Sequence, residues 1–431
     1  MNPLSSAAPG RTWPRHLLRG FGLIAAACLL VLIFSFRGPL AFVIKGGLHL
    51  PPPTGPYAVG RVTWDAASPD RPEIFTDDPS DHRRISIDIY YPAERVPGSR
   101  SGVYLDAAIA EGVTGLPALL SRPITPNWVE GAPPARTGAP YPVLLFSPGS
   151  DSPPVFYTSL LEHVASQGFV VLALWHPYTT ARTRFADGGV VESKYAANGA
   201  MWEGPDADRD AAKQVVSRVW AEDMLLALDA CNEHNAASGA FEGMADLRSV
   251  GAFGHSFGGQ NAAAAMTLDP RIRAGMNFDG TAVFAPILKQ GVIGAFAMVY
   301  DDFGPPDDAW LEQHNLTTEG WWAQWGERNL PSALREKAAS FQAFQIDGLA
   351  HEGFATDLAW LRPLFPSVIT EDMVGTIDPA LSLALLSDLV GAYFQQHLLD
   401  RPSALIVDPS SLYAPLHRGI QDHPDPAIST P

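Results

Sequence analysis

The stretch SVGAFGHSFGGQNAAAAMTL, from Ser249 to Leu268, decides the fold. An apolar run ends at Gly254, a serine stands midway between Gly254 and Gly258, and an alanine-rich helical run follows at once. The pattern is G-x-S-x-G set between a buried strand and a helix, a turn that thrusts a strained serine above a sheet while the flanking glycines relieve crowding. Five residues alone are weak, since a chain of this composition yields about 0.2 such matches by chance. The strand before and the helix after carry the weight, because the helix N-terminus favours negative charge developing beside Ser256.

Working outward, further apolar runs read as buried strands: Tyr141 to Ser147, Phe169 to Leu174, Ala274 to Asp279, Ala295 to Tyr300 and Phe341 to Ile346. Helical periodicity fills the gaps at Tyr157 to Gln167, Ala211 to Asn235 and Gly258 to Thr267, and Leu381 to Leu399 closes the domain. An earlier pair, Tyr57 to Thr63 and Ile85 to Tyr91, reads as antiparallel edge strands. Continuous rather than alternating apolar strands belong to a parallel sheet covered on both faces. The fold class is therefore α/β, a mostly parallel, doubly wound sheet flanked by helices.

A serine hydroxyl attacks poorly unless an imidazole takes its proton and a carboxylate holds the imidazole, and on this plan the chain order is serine, acid, histidine. That order removes every histidine before Ser256, together with His397 in the last helix and His417 and His423 in the C-terminal stretch. His314 sits in a polar, Trp-rich stretch, whereas His351 follows a strand through a short turn at its carboxyl end, where catalytic groups gather. His351 is the expected base, and His255, beside the serine in a tight turn, is expected to pack. For the acid, Asp279 ends one strand, and Asp301 and Asp302 end the next; the residues alone leave these open.

Composition narrows the partners. Of 431 residues 46% are hydrophobic, enough for a large core, and the net charge is −17. All 46 acidic residues lie after position 50, while five of the 29 basic ones lie before it. So acidic a body repels phosphate backbones, and nucleic acid is not an expected partner. Two cysteines and no Cys-His cluster at ligand spacing imply neither a disulfide framework nor a zinc site, and no cofactor or metal is expected. The Asp-rich run Asp301 to Asp308 reads as a solvated loop rather than a calcium site.

Leu17 to Phe36, LLRGFGLIAAACLLVLIFSF, is long enough as a helix to cover roughly 30 Å of hydrocarbon. Arg11, Arg15 and Arg19 precede it, so the expectation is a single-pass N-terminal transmembrane helix with the main domain on the non-cytoplasmic side. The alternative is a cleaved signal peptide and a secreted protein, against which stands the lack of an A-x-A-like site after Phe36. The organisation expected is a basic segment over 1–16, an anchor over 17–44, a Pro-rich linker over 45–56, a catalytic domain over 57–400 and a tail over 401–431. Trp310, Trp321, Trp322 and Trp325 mark 305–340 as an insert, either a lid over the site or a surface helix packed by its tryptophans.

An ordered set of segments resembles the platelet-activating-factor acetylhydrolase family of α/β-hydrolase serine esterases. They are TGPYAVG (Thr54 to Gly60), IYYPAE (Ile89 to Glu94), YPVLLFSPGS (Tyr141 to Ser150), ASQGFVVLALWH (Ala165 to His176), GHSFGG (Gly254 to Gly259), NFDG (Asn277 to Gly280) and GLAHEGFATD (Gly348 to Asp357). The resemblance implies the α/β-hydrolase fold, Ser256 as nucleophile, His351 as base and Asp279 as the acid. It also implies an oxyanion hole from the backbone N–H groups of Phe257 and Ser150, and an ester-bearing lipid with a short acyl chain as substrate. The chain departs from animal members at Pro148-Gly149, where they have a His-Gly pair, and at Trp175 to Tyr178, which replaces a more polar stretch. A polyester or general small-ester carboxylesterase, and a non-catalytic binding domain on the same fold, are the alternative readings.

Overall fold

The computed structural model describes residues 47–114, 124–194, 199–329 and 331–425. The apolar run 17–36 lies outside the described residues, and among those described no helix is long and apolar enough to cross a membrane.

The central sheet has ten described strands. In chain order they are β1 (Ala58–Pro72), β2 (His82–Ala93), β3 (Val129–Glu130), β4 (Tyr141–Ser147), β5 (Val170–Trp175), β6 (Ala245–His255), β7 (Ile272–Phe278), β8 (Ala295–Tyr300), β9 (Ser340–Ile346) and β10 (Leu416–Arg418). Their spatial order is β10-β9-β8-β7-β6-β4-β5-β2-β1-β3. From β5 to β9 every neighbouring pair is parallel, while β2 lies antiparallel between β1 and β5. The early hairpin is as expected, except that β1 is not the edge: the short β3 covers it.

Strands β4, β5 and β8 are buried throughout because both faces are covered. The main helices are α1 (Thr158–Ser166), α2 (Asp206–Ala236), α3 (Phe257–Leu268), α4 (Thr318–Asn329) and α5 (Pro379–Leu399). Alternate residues of one strand serve the two sides. Val143 and Leu145 join the core formed with Met224, Leu228 and the alanines of α3. Leu144 and Phe146 join the other core, with Leu160, Leu161, Leu386 and Leu389 of α1 and α5.

Two flanks read as separate from the domain pack onto it. In the Pro-rich linker, Leu48–His49 pairs in parallel with Ile124–Thr125, Leu50 is buried, and the Gly55 N–H donates to Ser166 Oγ at 3.0 Å. Past residue 400, β10 adds antiparallel to β9, with Leu405, Ile406, Leu416 and Ile420 buried, so the domain runs on at least to this strand. The insert carries the helices Asp308–Gln313, α4 and Ser332–Lys337. Trp322 is buried, Trp325 stacks on Phe303 at 4.6 Å, and Trp321 packs edge-on against Trp322. These rings hold α4 to the domain, and none of the four lines the cleft at Ser256.

Candidate active site

At the carboxyl end of β6 the chain turns through Ser256 with φ 54° and ψ −125°, a strained conformation for a residue with a side chain, and enters α3. The turn is possible because its neighbours lack side chains. A Cβ on Gly258 would lie 2.2 Å from the carbonyl oxygens of Ser147 and Pro148, and one on Gly254 would lie 2.4 Å from that of Ser147. The Ser256 N–H donates to the Phe278 carbonyl at 2.7 Å, tying the elbow to β7.

β7 delivers Asp279 through a second left-handed residue, φ 53°, whose N–H donates to the Val299 carbonyl at 2.8 Å. Asn277 locks that turn by accepting from the Gly280 N–H at 2.9 Å and donating to its carbonyl at 2.7 Å. From β9, a turn with Gly348 at φ +71° leads to His351. Asp302 braces this turn, its N–H donating to the Leu349 carbonyl and its Oδ2 accepting from the Gly348 N–H, both at 2.8 Å.

The three expected side chains meet. His351 Nε2 lies 3.0 Å from Ser256 Oγ, and His351 Nδ1 lies 2.5 Å from Asp279 Oδ2. Of the acids that the residues left open, Asp279 touches the imidazole, Asp302 supports its loop, and burial together with the charge of Asp279 pushes Asp301 upward. Burial opposes a charge on His351, but the hydrogen bond and the charge of Asp279 outweigh it and hold this imidazole above its ordinary range. With Nδ1–H on the carboxylate, Nε2 presents a lone pair to the serine hydroxyl. This chain of groups can withdraw a proton from Ser256 and return it to a leaving group.

His255 packs, as read. Its Nδ1 lies 2.8 Å from Tyr157 Oη, which accepts from the Gly149 N–H at 3.2 Å, and burial keeps the ring well below the usual imidazole range. Of the two residues expected at the oxyanion hole, Phe257 opens α3 directly after Ser256, and Ser150 lies in the loop after β4 and lines the cleft that includes Ser256. A cleft of about 330 Å³ includes Ser256, with Ser150, Asp151, Trp202 and Glu352 among its walls. Clefts elsewhere are as large, one of about 480 Å³ between Arg61 and Trp128 among them, but this one holds Ser256. Sequence reasoning missed Trp202, half-exposed in a loop turn, because no periodic pattern surrounds it.

The fold defines the class: an α/β hydrolase. The family model described as platelet-activating factor acetylhydrolase, isoform II, matches residues 43–194, the part of the chain that precedes the elbow. A fungal relative from Arthroderma benhamiae, named probable 1-alkyl-2-acetylglycerophosphocholine esterase, is 25% identical over 394 residues, spanning 87% of this chain and 94% of its own length. A ferulic acid esterase from Streptomyces cinnamoneus shares the fold with a TM-score of 0.67 at 23% identity, covering 86% of this chain and 99% of that one. The chain is a carboxylic ester hydrolase, similar to the platelet-activating-factor acetylhydrolase family over residues 43–194.

Proposed function

We propose that Ser256 attacks the ester carbonyl, that His351 accepts its proton and returns it to the departing alcohol, and that Asp279 steadies the imidazolium through the acyl-enzyme cycle. The backbone N–H groups of Phe257 and Ser150 hold the oxyanion. The observation that carries this reading is the continuous contact from Ser256 Oγ to His351 Nε2 at 3.0 Å and from His351 Nδ1 to Asp279. Ser256→Ala and His351→Ala should each lower turnover of p-nitrophenyl acetate by about three orders of magnitude or more, with folding intact. Near-normal hydrolysis by either variant would overturn the assignment, and failure of a fluorophosphonate to label Ser256 in the wild type would favour a non-catalytic binding domain.

The substrate we propose is a short-acyl lipid ester, in keeping with the name of the fungal relative. The apolar run 17–36 would tether the enzyme to a membrane, with the domain on the non-cytoplasmic side. Deleting residues 1–46 should then abolish co-sedimentation with lipid vesicles while leaving kcat on a soluble ester unchanged. A chain that stays bound to vesicles after the deletion would rule out this tether.

One feature favours a second reading, a general small-ester carboxylesterase. The described residues lining the cleft include Asp151 and Glu352 and no Lys or Arg. A phosphate close to the scissile bond is repelled by two carboxylates there, whereas a neutral ester is not. Comparing a short-acyl phosphatidylcholine with the matching phosphate-free glyceride decides between them: a higher kcat/KM on the glyceride selects the small-ester reading.

A further inference from the structure

Beneath the loop that follows β4 lies a second hydroxyl–imidazole–carboxylate chain, buried in full. Ser147, His176 and Asp223 have no exposed surface. Ser147 Oγ lies 3.0 Å from His176 Nε2, and His176 Nδ1 lies 3.0 Å from Asp223 Oδ2. The ring stacks on Trp220 with centroids 3.9 Å apart and planes 6° apart.

The protons are assigned by what surrounds Asp223. Arg83 grips both of its oxygens, Nε to Oδ1 at 3.0 Å and Nη2 to Oδ2 at 2.6 Å, and Arg71 adds a bond to Oδ1 at 3.1 Å. A carboxylate so paired only accepts, so His176 donates from Nδ1 and its Nε2 lone pair accepts from the Ser147 hydroxyl. This chain reaches no solvent and no cleft at Ser256, so it performs no hydrolysis of its own.

Its position in the chain gives it a different use. Ser147 ends β4, and Pro148, Gly149 and Ser150 follow directly. The Ser147 and Pro148 carbonyls press against Gly258 at the start of α3, and the Gly149 N–H is held by Tyr157. The loop is thus pinned on its far side by Tyr157 and at its root by the Ser147 hydroxyl. We propose that the Ser147–His176–Asp223 chain is a positioning device that fixes the root of the oxyanion loop, so that the Ser150 N–H is aimed at the developing oxyanion. Ser147 and His176 are positioning residues, acting through the backbone that follows them. The proposal rests on the reading of Ser256 as nucleophile.

A small misplacement of such a donor costs one to two orders of magnitude in rate without altering ground-state contacts. Ser147→Ala removes one oxygen, and His176→Phe keeps a ring for Trp220 while removing both hydrogen bonds. Each should lower kcat about tenfold on p-nitrophenyl acetate with KM within about twofold of wild type. The inhibition constant of a phenylboronic acid, whose tetrahedral adduct occupies the oxyanion hole, should rise in the same ratio. His176→Gln can donate to Asp223 and accept from Ser147, and should recover most of the rate.

An unchanged kcat in Ser147→Ala overturns the proposal. So does a lowered kcat with an unchanged boronate constant, or with KM raised in proportion, since that is general loosening rather than a misaimed donor. Should His176→Phe fail to fold, Ser147→Ala decides alone. Activity surviving in Ser256→Ala would sink the underlying mechanism; full activity in Ser147→Ala beside an inert Ser256→Ala sinks the positioning device only.

Discussion

At the scale of single residues, the balance of effects on His351 fixes a pH dependence. A general base works only when neutral, and the Asp279 charge and hydrogen bond hold this imidazole above its ordinary range even though burial pulls the other way. The expected kcat/KM therefore rises with pH through an inflection above about 6.5 and levels off on the alkaline side. Asp279→Asn removes the charge that favours imidazolium, so the inflection should move to lower pH while the plateau rate falls by about four orders of magnitude. A pH–rate profile of both proteins checks it, and an inflection unmoved by the substitution would mean that another group titrates. Ser256 and His351 were legible because a strained elbow and a strand-end turn leave marks in local sequence. Asp279 and Asp301 were not separable that way: they end adjacent parallel strands, and only the three-dimensional reach of one imidazole distinguishes them. Ser147, His176 and Asp223 left no mark because they come from three separate elements and meet only in the folded chain.

At the scale of elements, continuous apolar runs identified β4 and β8 to the residue, since a strand covered on both faces has no polar register to blur its ends. Helix α2 runs from Asp206, five residues earlier than its periodicity suggests, because Pro205 opens it and Asp206 and Asp208 suit its first turn without adding to the apolar stripe. Besides its apolar packing, α2 is joined to the sheet by an ionic tie that was invisible in the pattern. Arg83 of β2 reaches Asp223 of α2 at 2.6 Å and Glu73 at 2.9 Å, all three side chains nearly or fully buried. Arg83→Met leaves Glu73 without its cation and Asp223 with Arg71 and His176 only, so stability should fall by about 3–5 kcal/mol, the usual cost of breaking a buried pair from one side. Urea unfolding measures it directly. A loss below about 1 kcal/mol would show that the remaining partners already satisfy both carboxylates.

At the scale of the whole molecule, the C-terminal stretch is where sequence and fold diverge most, and the reason is length. β10 is three residues long, too short to express a period, and it sits among prolines and aspartates that read as solvated chain. Yet it closes the β9 edge of the sheet and braces the turn that carries His351. The Asp347 N–H donates to the Pro415 carbonyl at 2.9 Å, His417 Nε2 lies 2.8 Å from Asp347 Oδ2, and Gln421 Nε2 donates to Asp347 Oδ1 at 2.5 Å. Asp347 is four positions before His351, so removing these contacts frees the very turn that aims the imidazole. A chain ended after Arg401 also uncovers β9 as an unpaired edge beside apolar surface that Leu405, Ile406 and Leu416 had covered, which invites aggregation. The expected outcome is a sharp drop in soluble yield, and in whatever folded protein remains a kcat at least about tenfold lower, as a misplaced base requires. Ending the chain after Asp425 keeps every one of these contacts and should leave both yield and kcat unchanged. If the shorter chain instead matches the longer in thermal midpoint and turnover, β10 is an ornament on the sheet and the turn before His351 holds itself.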